Sequence, residues 1–513
     1  MERFFEELDR IAELVEGIPI ADMIITTEQQ REFELATHCY MCKRESKDTD
    51  GLVRDHDHVS GLYRGPAHNS CNLKHRQTKI IKVVFHNLRG YDSHLITKAY
   101  EGIQADGKRN GSIKVIANTD EKYISMRIGR FEFMDSYQHL NKSLAELVKG
   151  LKDYPHLQRE FPKHANLLAR KGVYPYEYMD SHDRFEEKKL PELEDFKSSL
   201  NEYADISVAD YEHACEVWKR LGCKSMGDYH DLYLKTDVLL LTDVFESYRT
   251  TAMEEYDLDP CHYVSAPSLS WDALLKKTGV QLELISDLDM YNFVESGIRG
   301  GVSTCGGMRY AKANNPYVKG FDSKKKKTYI MYLDMNNLYG WAMSQKLPTG
   351  GFEWVQLKDD ALDPDDINED EGYTAEVDLG YPEKLHDDHN DYPLAPESIK
   401  PSEWSAYMRE VGELDKLGEP RYAKVPKLVP NLRNKQKYVV HHKTLAFYLK
   451  QGLRLGKVHR VLKFKESAWM EPYIRLNTEL RKKAETDFEK DFFKLMNNLV
   501  SGKSMENVRN RID

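Results

Sequence analysis

Apolar and polar residues repeat with two periods along the first third of the chain, and these periods predict both helices and strands. Residues 1–36 have the helical spacing, broken by a turn at residues 17–19, and Thr26 or Thr27 is expected to cap the second helix. Short apolar or alternating runs follow at KIIKVVF, GSIKVIAN, YISMRIG and FEFMDS. Each of these runs predicts a strand.

Helical spacing returns in the middle of the chain and again near its last residues. The run LYLKTDVLLLTDVFESYRTTAMEEY predicts one long helix, and KLMNNLVSG predicts a helix that ends at Gly502. Between them, YIMYLD at residues 329–334 has the pattern of a short buried strand. Short strand runs followed by helices are typical of an α+β fold.

The composition is that of a globular protein with about three or four domains. The 513 residues have 40% hydrophobic side chains and a mean hydropathy of −0.66. There is no run of 18 apolar residues, and residues 1–17 lack the basic start and apolar core of a signal peptide. Seven cysteines, thinly spread, indicate a reducing compartment. We therefore expect an intracellular protein without a membrane partner.

The charge is uneven, and this changes what it implies about partners. The net charge of −10 argues against a nucleic-acid-binding protein. Residues 431–490, however, hold 15 Lys+Arg against 6 Asp+Glu, interleaved with Tyr448, Trp469 and Tyr473. This tract predicts a path for template or triphosphate. The acidic run at residues 359–371 is interpreted as a solvated loop.

Paired cysteine and histidine residues predict a zinc site. Cys39 and Cys42 are followed, 26 residues after Cys42, by His68 and Cys71 with the same spacing of two intervening residues. Three thiolates and one imidazole suit tetrahedral zinc, which would also stabilise a segment that has little apolar periodicity.

Between the two pairs lies a second cluster, in which Asp55 could bind a hard cation, His56 could deprotonate a water and Asn72 could orient the site. The segment VRDHDHVSGLYRGPAHNSCN resembles the HNH-type recombination endonuclease VII family, with His68 where that family has cysteine. The resemblance implies DNA cleavage, and the alternative is a zinc module kept for structure or DNA contact.

Three further patterns have residue types suited to nucleotide chemistry. Tyr233 and Asp237 are four residues apart, so on a helix both can point at one metal centre. Asp334 ends the apolar run YIMYLD, where it could hold magnesium, and Tyr339 could pack under a sugar. Lys494 on the predicted helix could pair with a triphosphate.

Taken in order, the motifs resemble family B DNA polymerases, most closely the protein-primed branch of viruses and self-synthesising DNA transposons. FHNLRGYD looks like the second exonuclease motif and YLKTD like the third, which implies that Asn87 contacts DNA and that Asp92 and Asp237 bind metal beside Tyr233. Ser143 and Leu144 match a primer-strand motif.

The polymerase motifs follow in the expected order. IRGG, with Arg299, Gly300 and Gly301, resembles the linker that coordinates the two sites and contacts DNA. DMNNLYG resembles motif A, which implies catalysis by magnesium-binding Asp334 and a steric gate at Tyr339. KLMNNLVSG resembles motif B, which implies that Lys494 and Asn498 meet the incoming nucleotide.

Two expected motifs of the family have no counterpart in the sequence. No D-x-E lies upstream, and no D-T-D hairpin follows motif B; the D-T-D at residues 48–50 is interpreted as a turn of the zinc loop. We therefore expect a fragment that could be inactive alone. Motif B also has Leu499 and Ser501 where the family has serine and an aromatic residue, and Gly340 replaces the proline of motif A.

The predicted organisation is a partial RNase H-like exonuclease domain with a zinc insertion, then a partial palm and fingers. The expected boundaries are a helical lead-in (1–36), the zinc module (37–78), the exonuclease-like domain (79–270), the palm (271–384), an insertion (385–450) and the fingers (451–513).

The predicted function is DNA-directed DNA polymerisation in a host nucleus or cytoplasm, with template-primer DNA, deoxynucleoside triphosphates and a terminal priming protein as partners. Mg²⁺ and structural Zn²⁺ are the expected cofactors. The alternatives are a zinc-dependent HNH-type DNA endonuclease and a non-catalytic DNA-binding fragment.

Overall fold

A computed structural model describes most of the chain. It covers residues 1–47, 49–74, 80–105, 112–119, 122–197, 206–303, 310–356, 368–399, 426–507 and 509. These residues form two compact units, Met1–Ala273 with Leu480–Asp513, and Leu274–Glu479. No helix among the described residues is both long and apolar enough to cross a membrane. Asp48, most of the acidic run and residues 400–425 of the predicted insertion lie outside the described residues.

The first unit begins with the two predicted helices. They are α1 (Glu2–Glu16) and α2 (Thr27–Leu35). Thr26 caps α2: its hydroxyl oxygen accepts from the Gln29 backbone N–H, and the Gln29 side chain accepts from the Thr26 N–H. A small hairpin and a short helix follow, formed by β1 (Leu52–His56), β2 (Tyr63–His68) and α3 (Asn69–Lys74).

A four-stranded mixed sheet comes next, and it confirms the four strands predicted from the apolar runs. Its elements are β3 (Ile81–Phe85), α4 (Asp92–Ala105), β4 (Ile113–Thr119), β5 (Lys122–Ile128) and β6 (Phe131–Asp135). The strand order is β3-β6-β5-β4, with β3 parallel to β6 and the other pairs antiparallel. Phe5 and Leu8 of α1 pack into the core of this sheet with Phe133 and with Tyr100 of α4.

Helices complete the first unit, including the predicted long helix. They are α5 (Leu144–Lys149), α6 (Pro155–Glu160), α7 (Ala165–Leu168), α8 (Val208–Leu221), α9 (Met226–Tyr256) and the part of α10 (Ala266–Thr278) that ends at Ala273. Ser225 caps the start of α9, and Asp257 in the left-handed conformation ends it. The α9 residue Asp243 is buried and accepts from the backbone N–H groups of His156 and Leu157, which fixes the start of α6 on α9.

The second unit is built on an antiparallel sheet of order β11-β8-β12-β7. Its elements are α11 (Leu288–Gly297), α12 (Leu338–Met343), β7 (Leu347–Val355), β8 (Glu371–Gly380), α13 (His386–His389), β9 (Glu397–Ile399), β10 (Lys427–Val429), β11 (Lys435–His441), α14 (His442–Lys450), β12 (Arg454–Ser467) and α15 (Glu471–Lys483). Ala375, Val377 and Leu379 alternate along β8 and are buried with Tyr438 and Val458. Mixed helices and sheets therefore confirm the predicted α+β class at this coarse level.

The last described helix, α16 (Asp487–Ser504), belongs to the first unit. Phe492 packs edge-on against Tyr248 of α9, and the hydroxyl of Ser270 on α10 donates to the carbonyl of Met496. The predicted end at Gly502 is wrong by two residues. The hydroxyl of Ser504 donates to the carbonyl of Val500, and α16 continues through the glycine.

The predicted buried strand at residues 329–334 is also wrong. These residues form no strand, and their apolar side chains are exposed, with Tyr332 at 92% and Leu333 at 80%. An apolar run becomes a buried strand only when other strands pair with it and other elements cover its faces. Among the described residues, no strand pairs with this run.

Candidate metal centre and polymerase motifs

The predicted zinc ligands lie together at the end of the β1–β2 hairpin. The ligating atoms of Cys39, Cys42, His68 and Cys71 all lie within 4.8 Å of one another, and no other such group of three or more occurs among the described residues. His68 Nδ1 lies 3.4 Å from Cys42 Sγ. Its Nε2 lies 3.2 Å from the Glu45 carbonyl oxygen, to which it donates, so Nδ1 is the nitrogen left for a metal.

The chemistry of these donors fits zinc. Cys39 is buried, which opposes ionisation, but backbone N–H groups of Cys42, His68 and Met41 bring its pKa below the usual value. The backbone N–H of Arg44 lowers the pKa of Cys42 to about 7, whereas burial raises that of Cys71. Three sulfurs and one nitrogen at these separations match a closed tetrahedral site, which is the structural type.

The HNH-type cluster is only partly free for catalysis. Asp55 is buried on β1, and the Tyr40 hydroxyl donates to its Oδ2 at 2.6 Å. His56 follows it with its ring 5.0 Å from that of His58, and Asn72 lies on α3, which packs against the hairpin. Tyr40 therefore occupies one of the two oxygens with which Asp55 would bind a cation.

The predicted second exonuclease motif forms the loop between β3 and α4. Asn87 has a left-handed backbone (φ 68°), and Asp92 begins α4. The buried carboxylate of Asp135 holds this loop, since it accepts from the backbone N–H groups of Asn87 at 2.8 Å, Tyr137 at 3.0 Å and Arg89 at 3.3 Å. Burial, and to a lesser extent the charge of Asp135, raise the pKa of Asp92.

The predicted third exonuclease motif contacts a lysine that sequence analysis missed. Tyr233 and Asp237 share one face of α9, as predicted, and the Lys171 ammonium donates to both Tyr233 OH and Asp237 Oδ2. Tyr174 stacks on the Tyr233 ring at 4.7 Å. Burial raises the pKa of Tyr233, and the Asp237 charge adds to this effect.

The other oxygen of this carboxylate is unpaired. Asp237 Oδ1 is buried, and no hydrogen-bond partner for it exists among the described residues. An orphaned buried carboxylate oxygen carries an energetic cost unless a cation or water meets it. The residues present therefore fit a divalent cation at Asp237.

Residues on either side of the predicted primer-strand motif line one cavity with the predicted motif B. Ser143 caps α5, with its hydroxyl accepting from the Glu146 N–H, and Leu144 begins that helix and is partly buried. Residues 140–150 and α16 enclose about 420 Å³, and Lys494 and Asn498 both line this space. An ion pair between Lys142 and Asp491 joins its two sides. The structure thus places both motif B residues beside the predicted primer-strand segment.

Motif A lies in the second unit. Asp334 is exposed at the end of the run at residues 329–334, and Tyr339 is exposed on α12. Asn337, in the left-handed conformation (φ 54°), places its side chain against Gly340, where a Cβ atom would come within 2.4 Å of the Asn337 amide. Any residue with a Cβ atom would collide with Asn337 here, so the position fits glycine, where the family has proline.

The linker motif is held by Arg299. Its guanidinium lies 3.8 Å from the Tyr438 ring centroid and donates to the carbonyls of Val439 at 2.7 Å and Gly297 at 3.0 Å. Gly300 and Gly301 border a cavity of about 350 Å³. Arg299 thus fixes this linker on β11.

The basic tract is less open than its sequence indicates. Several of its cations are paired with carboxylates, among them Lys435 with Glu397, Lys443 with Glu466, Arg460 with Glu376 and Asp289, and Lys463 with Glu371. Tyr473 is fully buried. The Tyr473 ring on α15 is part of the core and is therefore not available to stack on a base.

Comparison with known families shows the family to which the chain belongs. The family model described as DNA polymerase type B, organellar and viral, matches residues 71–504. The chain belongs to this family. A second model, recombination endonuclease VII, matches residues 20–88 of this type B polymerase chain, which include the zinc ligands. A search of curated proteins found no match.

Solved structures of phi29 DNA polymerase are similar to this type B polymerase chain at low identity. The orthorhombic crystal form is 14% identical with a TM-score of 0.44, covering 89% of this chain and 67% of that one. The ternary complex with primer-template DNA and incoming nucleotides is 16% identical with a TM-score of 0.45, covering 88% and 66%. The complex with single-stranded DNA is 16% identical with a TM-score of 0.42, covering 89% and 67%. The chain spans about two thirds of the length of these polymerases.

Proposed function

We propose that the chain performs template-directed addition of deoxynucleotides to a DNA primer. The observation that carries this proposal is the match to type B DNA polymerases over residues 71–504. In this assignment Asp334 binds magnesium and Tyr339 excludes a ribose 2′-hydroxyl. Lys494 and Asn498 bind the triphosphate, and their position along one cavity supports a shared role. Bound magnesium would stabilise the attacking and leaving oxygens of the displacement.

We also propose a 3′-5′ exonuclease site in the first unit, within a partial RNase H-like domain that has the zinc module inserted in it. The free buried oxygen of Asp237 supports a divalent cation there, with Asp92 as the second metal-binding carboxylate. Lys171 and Tyr233 orient Asp237 through its other oxygen. Asn87, Ser143 and Leu144 would hold the primer strand.

The remaining assignments follow from the same family. Template-primer DNA and deoxynucleoside triphosphates are the proposed partners, and Arg299, Gly300 and Gly301 would contact DNA. Residues 385–450 would contact a terminal priming protein. We assign the zinc site a structural role, because its four ligands leave no open position. The proposed compartment is the nucleus or cytoplasm of a host cell.

The test of this proposal is extension of a labelled DNA primer on a template in Mg²⁺. We expect extension by the chain and a fall of about 100-fold or more in the Asp334→Asn variant, because one charge that holds the metal is lost. Asp387→Asn, an exposed aspartate on α13, is the matched control and should extend normally. Absence of extension, or an equal loss in both variants, would overturn the proposal.

A further inference from the structure

A lysine-rich loop just before motif A has no assigned role. Residues 312–328, here named the lysine loop, contain six lysines and a single carboxylate, Asp322. All six lysines are exposed: Lys312, Lys319, Lys324, Lys325, Lys326 and Lys327. Among the described residues, only Lys325 has a carboxylate partner, Asp322 at 3.7 Å. This differs from the basic tract, where several cations are paired.

The lysine loop has a fixed conformation. Its ends are joined by a bridge in which the N–H groups of Asn314 and Thr328 each donate to the other's carbonyl, at 3.1 and 2.9 Å. The Asn314 side chain crosses the loop, donating to the carbonyls of Asp322 at 3.0 Å and Lys326 at 3.1 Å and accepting from the Asp322 N–H at 2.9 Å. Such a closed loop is compact, and binding a ligand costs it little ordering entropy.

Two further residues stabilise this conformation of the lysine loop. Asn315 is 4% exposed, and its side chain donates to the Thr328 carbonyl at 2.9 Å and accepts from the Tyr317 N–H at 3.1 Å. Gly320 makes the turn with a backbone φ of 85°, which side-chain-bearing residues rarely adopt. These contacts fix the backbone of Tyr317, whose side chain is 88% exposed and lies between Lys312 and Lys319 in the sequence.

We propose that the lysine loop binds single-stranded DNA, with its lysines on successive phosphates and Tyr317 stacked on a base. Five of the six ammonium groups have no carboxylate partner among the described residues, and such a cluster suits a repeated phosphate backbone. An exposed aromatic ring among those cations is the additional feature that distinguishes a single strand, whose base faces are open, from a duplex or an acidic protein. Only the choice of DNA as the polyanion rests on the proposed polymerase function.

The test is fluorescence anisotropy with a labelled oligodeoxythymidine over a series of KCl concentrations. A triple variant, Lys324→Gln with Lys326→Gln and Lys327→Gln, keeps the Lys325–Asp322 pair. We expect weaker binding and a salt slope smaller by as much as about 2, at roughly 0.7 per lost phosphate contact. The matched control changes three exposed lysines of the same unit, Lys276→Gln with Lys277→Gln and Lys384→Gln, and should keep the wild-type slope.

Two single variants separate stacking and geometry from charge. Tyr317→Ala should weaken binding between about 5-fold and about 100-fold. Asn314→Ala should also weaken binding although the net charge is unchanged, because the lysine loop opens. The proposal is overturned if the two triple variants lose affinity equally, if Tyr317→Ala binds like wild type, or if only duplex binding responds.

The outcomes also separate this proposal from the proposed polymerase function. A chain that shows loop-dependent binding but no primer extension would contradict polymerisation and leave the lysine loop assignment standing. Conversely, if extension depends on Asp334 but the lysine-loop triple variant keeps the wild-type affinity and salt slope, only the loop assignment fails.

Discussion

At the residue scale, the proposed chemistry depends on contacts between side chains that are distant in sequence. Lys171 lies 62 and 66 residues from its partners Tyr233 and Asp237, in a segment without a motif of its own. Sequence analysis found the tyrosine and the aspartate because their spacing places them on one helix face. It missed the lysine because no spacing rule connects a loop residue with a helix so far along the chain.

Replacing Lys171 should cost more stability than replacing a surface lysine. In Lys171→Met the mostly buried carboxylate of Asp237 loses its hydrogen-bonded cation, which should lower the free energy of unfolding by about 1–3 kcal/mol. Lys235→Met is the matched control, because Lys235 on α9 forms an exposed pair with Glu160 that should contribute no more than about 1 kcal/mol. Urea unfolding of both variants measures the difference, and equal losses would show that Lys171 does not neutralise Asp237.

At the element scale, the strands and helices were predictable where their partners lie nearby in sequence. The alternating runs of β4, β5 and β6 form adjacent antiparallel strands, so local pattern was enough. The run at residues 329–334 shows where prediction from local pattern fails. Its apolar residues have the pattern of a strand, but strand formation depends on partner strands that the pattern does not specify. The cations of β12 show the same limit, because Arg460 pairs with Glu376 and Asp289, 84 and 171 residues away.

The zinc module is the element whose stability depends most on a bound metal. Its two strands and short helix bury little apolar surface, and a two-stranded hairpin alone is at best marginally stable. We expect a strong chelator to unfold residues 37–74 while the sheet of β3 to β6 persists, as measured by hydrogen exchange. His68→Cys should retain zinc and His68→Ala should lose it. Unchanged protection of the module after verified zinc removal would contradict this prediction.

At the scale of the whole molecule, the two motif sets are divided between the two units. Motif A lies within residues 274–479, whereas motif B and the exonuclease motifs lie in the other unit. The sequence predicted these motifs in order, and the family match over residues 71–504 confirms the family that they indicate. The sequence could not predict which segments fold together, because α16 packs on helices more than 200 residues earlier.

The most direct test of the central claim is whether the template determines which nucleotide is added. The chain would be given four primer-templates that differ only in the first unpaired template base, with each deoxynucleoside triphosphate in turn and Mg²⁺. We expect addition of the complementary nucleotide in each case, and loss of that addition in Asp334→Asn but not in Asp387→Asn. Addition that ignores the template base, or that survives in Asp334→Asn, would contradict the assignment of this chain as a DNA-directed polymerase acting through motif A.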